Sequence, residues 1–140
     1  MERAYLLKKD LRARRRMPTA NLTSSIRVSK GFLKSIWEEA RPKDFSLYGM
    51  CLKTNRLFDT DEKITVSLTL EMDMGEINVE QIMARVVRVN KLVGFYEYGI
   101  EFDKKVVENT SDSISRNMMR IENFLEKQEA FSARVEQKIA

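Results

Sequence analysis

Between Ile64 and Met72 the chain reads ITVSLTLEM, so Ile64, Val66, Leu68, Leu70 and Met72 alternate with polar residues. Successive side chains leave a pleated backbone on opposite faces. Strict alternation therefore marks a strand with one face in a core and the other in water. The neighbouring segments read in the same way. Ser24–Val28 is a short strand candidate, Gly31 allows a turn, and Phe32–Glu39 reads as a second strand that Arg41-Pro42 breaks, because proline donates nothing to a ladder. Tyr48–Lys53 is apolar and follows a turn. Residues 82–89, IMARVVRV, are rich in β-branched side chains, and parity places Arg85 and Arg88 on opposite faces. After a turn at Lys91–Gly94, YEYGIEF at 96–102 makes a further strand. Five or six short strands at this spacing point to a mainly β domain closed into an antiparallel barrel, which leaves few exposed edges.

The period changes at Ser111. Ile114, Met118, Ile121, Leu125, Val135 and Ile139 fall on one helical stripe, with Gln128 and Ser132 in the same register and Phe124 and Phe131 widening it. Glu108–Asp112 supplies capping-type residues, and no Pro or Gly interrupts 104–140. One long C-terminal α-helix is predicted. An apolar stripe must be covered. Packing back on the barrel and a homo-oligomeric coiled coil through 111–140 both satisfy that requirement. Phe124 and Phe131 favour the barrel for part of the length.

The composition excludes several chemistries. The 140 residues contain no histidine and one cysteine, Cys51. A zinc site, a Cys/His pair or a Ser/His/Asp set cannot be assembled from them, and no metal is expected. No catalytic residue is assigned, and a binding role is expected over an enzymatic one. No apolar run is long enough to span a membrane, and Met1–Asp10 lacks the pattern of a signal peptide. A cytoplasmic location is the expectation.

Charge is unevenly placed. Residues 1–16 carry Arg3, Lys8, Lys9, Arg12, Arg14, Arg15 and Arg16 against Glu2 and Asp10, a local +5 in a chain of net +4. Such local basicity reports a local anionic partner. Pro18 favours an extended Met17, so 1–20 reads as a basic N-terminal arm ahead of a 21–105 barrel and a 106–140 helix. A basic arm also suits a nucleic-acid backbone. Two features argue against that partner: the rest of the chain is not basic, and the strands lack aromatics interleaved with Lys and Arg.

Two clusters carry a sharper signal in combination. The first is Arg12-x-x-x-Arg16, followed by Met17-Pro18; the second is Asp44-Phe-Ser46-Leu-Tyr-Gly49, which leads into MCLK. Alone, the second reads equally well as a turn before a strand, with Asp and Ser bonding local backbone and Gly freeing it. In this order, with ARVVRV at 84–89 and YEYGIEF at 96–102, roughly residues 10–105 resemble the PilZ domain. That resemblance implies a six-stranded antiparallel β-barrel and a receptor for cyclic di-GMP, a bacterial second messenger. Arg12 and Arg16 would then be the signature arginines of the arm, and Asp44, Ser46 and Gly49 the signature positions on the barrel. Asp44 would accept from guanine N–H groups, Ser46 would bond the ligand or its neighbours, and Gly49 would serve backbone shape.

Arginine suits this ligand because its planar fork pairs bidentately with phosphate or with guanine O6 and N7. Arg14 and Arg15 are additional candidates, as are Arg85 and Arg88, for which a solvated strand face is the alternative. In the family that this stretch resembles, the residue before the first arginine bears on how many ligand molecules bind; Leu11 offers no extra guanidinium there, which implies a single bound molecule. The stretch from Arg27 to Pro42 is long for the family's early strands and implies an extended hairpin or a bulge. The expected output is regulation of an unidentified downstream protein, of the motility or exopolysaccharide kind. The alternative is a PilZ module that binds no nucleotide and assembles through its helix.

Overall fold

A computed structural model describes Thr19 and residues 21–139, with side chains through Val135. The six strands are β1 (Leu22–Ser29), β2 (Ser35–Phe45), β3 (Gly49–Thr54), β4 (Lys63–Met72), β5 (Gly75–Leu92) and β6 (Phe95–Phe102). They close into an antiparallel barrel in the order β1-β2-β3-β6-β5-β4. Two helices follow, α1 (Lys104–Glu108) and α2 (Ser113–Ile139). The short α1 was not expected from the sequence. Asp103 caps it by accepting from the Lys105 amide at 3.1 Å.

The alternation in ITVSLTLEM does what it predicts. Ile64, Val66, Leu68 and Leu70 are buried, and Thr65, Ser67 and Thr69 lie between them at the surface side. With Phe45, Met50, Leu52, Val86, Tyr98, Ile100 and Phe102 they fill the barrel. Tyr98 brings a hydroxyl into this core and satisfies it twice, accepting from the Phe58 amide at 2.9 Å and donating to the Arg56 carbonyl at 2.7 Å. Burial pushes the Tyr98 phenol above its ordinary pKa.

Two sequence expectations need correction, and a β-bulge is the cause of each. Arg41-Pro42 does not end β2. The strand runs on to Phe45 because Pro42 sits at a register shift: Pro42 opposes Leu52 and Asp44 opposes Cys51, leaving Lys43 as the surplus residue. A bulge is one of the few places where a sheet tolerates proline. Arg85 and Arg88 do not face opposite ways. Val86 opposes Ile100 and Arg88 opposes Gly99, so Val87 is surplus and both arginines emerge on the outer face.

The long Arg27–Pro42 stretch contains both features expected of it. Besides the bulge, Arg27–Ser29 and Ser35–Trp37 pair with each other and with no third strand, so the β1–β2 hairpin extends past its neighbours as a two-stranded ribbon three residue pairs long.

Helix α2 begins where its capping residues predict, with Asp112 accepting from the Ile114 amide at 2.9 Å. Its first half docks on the barrel through Met118, Ile121 and Leu125, all buried, with Ile114 and Phe124 at their margin. Asn117 donates to the Asn78 carbonyl of β5 at 2.9 Å. Beyond Gln128 the stripe is uncovered among the described residues: Phe131 is 64% exposed and Val135 38%. No described helix is long and apolar enough to cross a membrane.

Candidate functional site

The motif DFSLYG forms the connection between β2 and β3. The Ser46 amide donates to the Gly49 carbonyl at 2.8 Å, closing a tight turn over Leu47 and Tyr48. The Ser46 hydroxyl reinforces the turn, donating to the Gly49 carbonyl at 3.1 Å and accepting from the Gly49 amide at 3.2 Å. Ser46 is only 2% exposed and so acts here on its neighbour's backbone. Gly49 is buried and opens β3. The positive-φ glycines among the described residues are Gly31, Gly75 and Gly94, so left-handed backbone is not its contribution. The Tyr48 carbonyl accepts from the Phe102 amide at 2.9 Å, which ties the turn to β6.

The remaining hold on the turn comes from a residue that the sequence reading passed over. Glu122 of α2 is buried, and its Oε2 accepts from the Leu47 amide at 2.7 Å. The signal was present: Glu122 lies four residues after Met118 and three before Leu125, on the stripe that must face the barrel. A carboxylate placed there is costly unless bonded.

Across the outer face, the ladder pairings place Asp44, Cys51, Gly99 and Arg88 in one row over β2, β3, β6 and β5. Both bulges serve that row. Were Lys43 paired in regular alternation, Asp44 would face the core and Phe45 the outside; the bulge reverses both. Asp44 Oδ1 accepts from the Cys51 amide at 2.9 Å. Cys51 alternates with the core residues Met50 and Leu52 and is nevertheless buried. Burial pushes its thiol pKa up, Asp44 and Glu97 add to the shift, and Lys43 and Arg88 oppose it. Gly99 has a specific reason to be glycine. A Cβ there would lie 3.3 Å from the Arg88 Cβ and 3.4 Å from its guanidinium carbon. The absent side chain lets Arg88 lie flat across the strand.

The two barrel arginines differ in their engagements. Arg85 bonds Asp61 at 2.6 Å and approaches Glu101 at 4.0 Å. Arg88 has no ion pair among the described residues. The next row pairs Arg41, Lys53 and Glu97. Beside it a cleft of about 460 Å³ is lined by Glu39, Arg41, Lys53, Thr54, Asn55 and Phe95, with the Lys53 ammonium 5.6 Å from the Phe95 ring centre. The face therefore combines a carboxylate, an arginine on a bare strand and a basic cleft with one aromatic. That set can bond a polar, anionic, planar ligand. Among the described residues no group of His, Cys, Asp and Glu could hold a metal. Leu11, Arg12, Arg14, Arg15 and Arg16 lie outside the described residues.

The sequence model of the PilZ domain matches residues 10–120. The chain belongs to the PilZ domain family. Its barrel is similar to that in the structure of the K. pneumonia MrkH–c-di-GMP complex, with a TM-score of 0.57 at 20% identity over 88% of this chain and 54% of that one. The chain thus spans about half the length of that protein. No curated protein matches. Within this PilZ chain, Ser46 and Gly49 close one turn, Asp44 lies on β2 just before it, and Asp44 and Arg88 fall on one row of the same outer face.

Proposed function

We propose that this PilZ protein is a receptor for cyclic di-GMP that catalyses no reaction. The observation that carries the reading is the row Asp44–Cys51–Gly99–Arg88. It sets a carboxylate and a flat-lying arginine on one face, beside a turn held by Ser46 and Glu122. Its support from relatives is a PilZ-fold neighbour solved with c-di-GMP. Asp44 bonds guanine N–H groups, Arg88 stacks on or pairs with a base, and Arg12 and Arg16 clamp phosphate or guanine from the basic arm. Arg14 and Arg15 add phosphate contacts. Ser46 and Gly49 shape the turn. Arg85 belongs to the Asp61 pairing instead.

Binding orders the arm over the barrel. The seven cations between Arg3 and Arg16 repel one another until ligand phosphates relieve the charge. Ordering costs roughly 1–2 kcal/mol per fixed residue. Each bidentate guanine contact returns about 1–3 kcal/mol of discrimination, so several contacts must act together. The closed arm and the exposed Phe131 and Val135 of α2 offer the surface that a downstream protein, or a second copy, reads. The reading carries with it a cytoplasmic location.

Calorimetric titration with cyclic di-GMP tests it, with GTP as control and Arg16→Ala and Asp44→Ala alongside. Saturable binding near one molecule per chain, absent for GTP and lost in both variants, is the expected result. No heat and no thermal shift at high ligand concentration would remove the receptor reading and leave assembly through α2 in its place.

A further inference from the structure

The β1–β2 hairpin ends in a turn built against ordinary turn chemistry. Its apex is Phe32-Leu33, both 91% exposed. Leu33 adopts φ +65°, a left-handed conformation suited to Gly or Asn and costly for a branched side chain. The apex thus accepts backbone strain and places two large apolar side chains in water. Behind it, Ile36 is 39% and Trp37 42% exposed. The Arg27 guanidinium lies 4.9 Å over the Trp37 ring. Residues 27–37 carry Arg27, Lys30 and Lys34 and no acidic residue.

Because Ser35–Trp37 and Arg27–Ser29 pair only with each other, this apolar and cationic tip extends beyond the neighbouring strands. Three strand residues extend roughly 10 Å, enough for the 5–10 Å by which interfacial groups enter the headgroup boundary. Asp44 lies at the opposite end of the same strand, nine residues from Ser35.

We propose that this hairpin is a docking tip for an anionic lipid surface. Phe32 and Leu33 enter the boundary between headgroups and acyl chains, Trp37 rests at headgroup level, and Arg27, Lys30 and Lys34 pair with lipid phosphates. Charge complementarity selects the occupant: two exposed apolar side chains framed by three cations fit a surface that is apolar below and anionic above. The surface lies away from the proposed nucleotide face and requires no nucleotide.

Trp37 is the only tryptophan in the chain, so its emission reports on this hairpin alone. The full chain is titrated with phosphatidylcholine vesicles and with phosphatidylcholine–phosphatidylglycerol vesicles, with vesicle sedimentation run in parallel. The expected result is a blue shift and sedimentation with the anionic vesicles only. Phe32→Ser/Leu33→Ser should abolish the shift while leaving the melting temperature unchanged. Each lysine near an anionic surface is worth roughly fivefold in partitioning, so Lys30→Glu/Lys34→Glu should lower it by roughly 25-fold or more. Sedimentation without any Trp37 shift would assign lipid binding to the basic arm and overturn the proposal. An undiminished shift in the Ser variant would also overturn it. A hairpin indifferent to both vesicles would leave an acidic protein as its occupant and remove the lipid assignment.

Discussion

The two ends of β2 are opposites. At Asp44–Gly49 the polar groups are bonded into a turn that β6 and α2 both hold, through Phe102 and Glu122. At Gly31–Lys34 the turn is closed by the Lys30 amide on the Lys34 carbonyl at 2.9 Å, and the apex side chains touch water. The first end spends polar groups on fixing geometry, as a recognition site must when a ligand is read by direction. The second leaves apolar groups unburied, as suits a surface that meets a deformable partner. One strand thus carries a rigid end and a permissive end.

That contrast is breakable by substitution. Glu122→Ala leaves the Leu47 amide buried without its acceptor and should cost about 1–3 kcal/mol in thermal or urea unfolding, with Glu122→Gln costing less because an amide oxygen still accepts. Equal effects of the two would show that α2 does not hold the turn through this bond. Tyr98→Phe, which leaves the Phe58 amide and Arg56 carbonyl unpaired, should cost about 1–2 kcal/mol. Its pH dependence is distinctive. The folded phenol pKa is raised, so its contribution is complete below the unfolded value near about 10 and is lost as pH rises through the folded value. Denaturation midpoints followed upward from neutral pH should fall more steeply in the wild type than in Tyr98→Phe.

At the permissive end the expected effects are smaller. Leu33→Gly relieves the left-handed strain and should stabilise by up to about 1 kcal/mol, net of the entropy glycine loses on folding. Phe32→Ser should move stability by less than about 0.5 kcal/mol. A large loss in Phe32→Ser would mean that the tip is packed in solution, and the contrast between the ends would fail. Gly99→Ala sharpens the other side: its Cβ pushes Arg88 by a few tenths of an ångström, so cyclic di-GMP affinity should drop by roughly tenfold while the melting temperature barely moves.

Much of this architecture was legible because periodicity reports burial directly. ITVSLTLEM, YEYGIEF and the Met118–Leu125 stripe each behave as their spacing requires. The errors fall where one residue is added to a ladder. Parity counting carried through Lys43 and Val87 assigns the wrong face to everything beyond, so Pro42 read as a breaker and Arg88 as facing away from Arg85. The motif located the turn, but not what holds it. Glu122 and Gly99 act through partners 75 and 11 residues away in sequence, at Leu47 and Arg88, and no local pattern encodes such pairings.

Lys43 and Val87 also define where the barrel can change length. Deleting either restores unbroken alternation: Pro42 in, Asp44 out and Phe45 in on β2, or Val86 in and Arg88 out on β5. Deleting Cys51 instead would reverse the facing of every later residue of β3. The sheet therefore has a silent position for a lost residue on each side of the β3–β6 pair, besides the surplus residue of β5 between Val79 and Ile82, and the first two border the face that would meet the ligand.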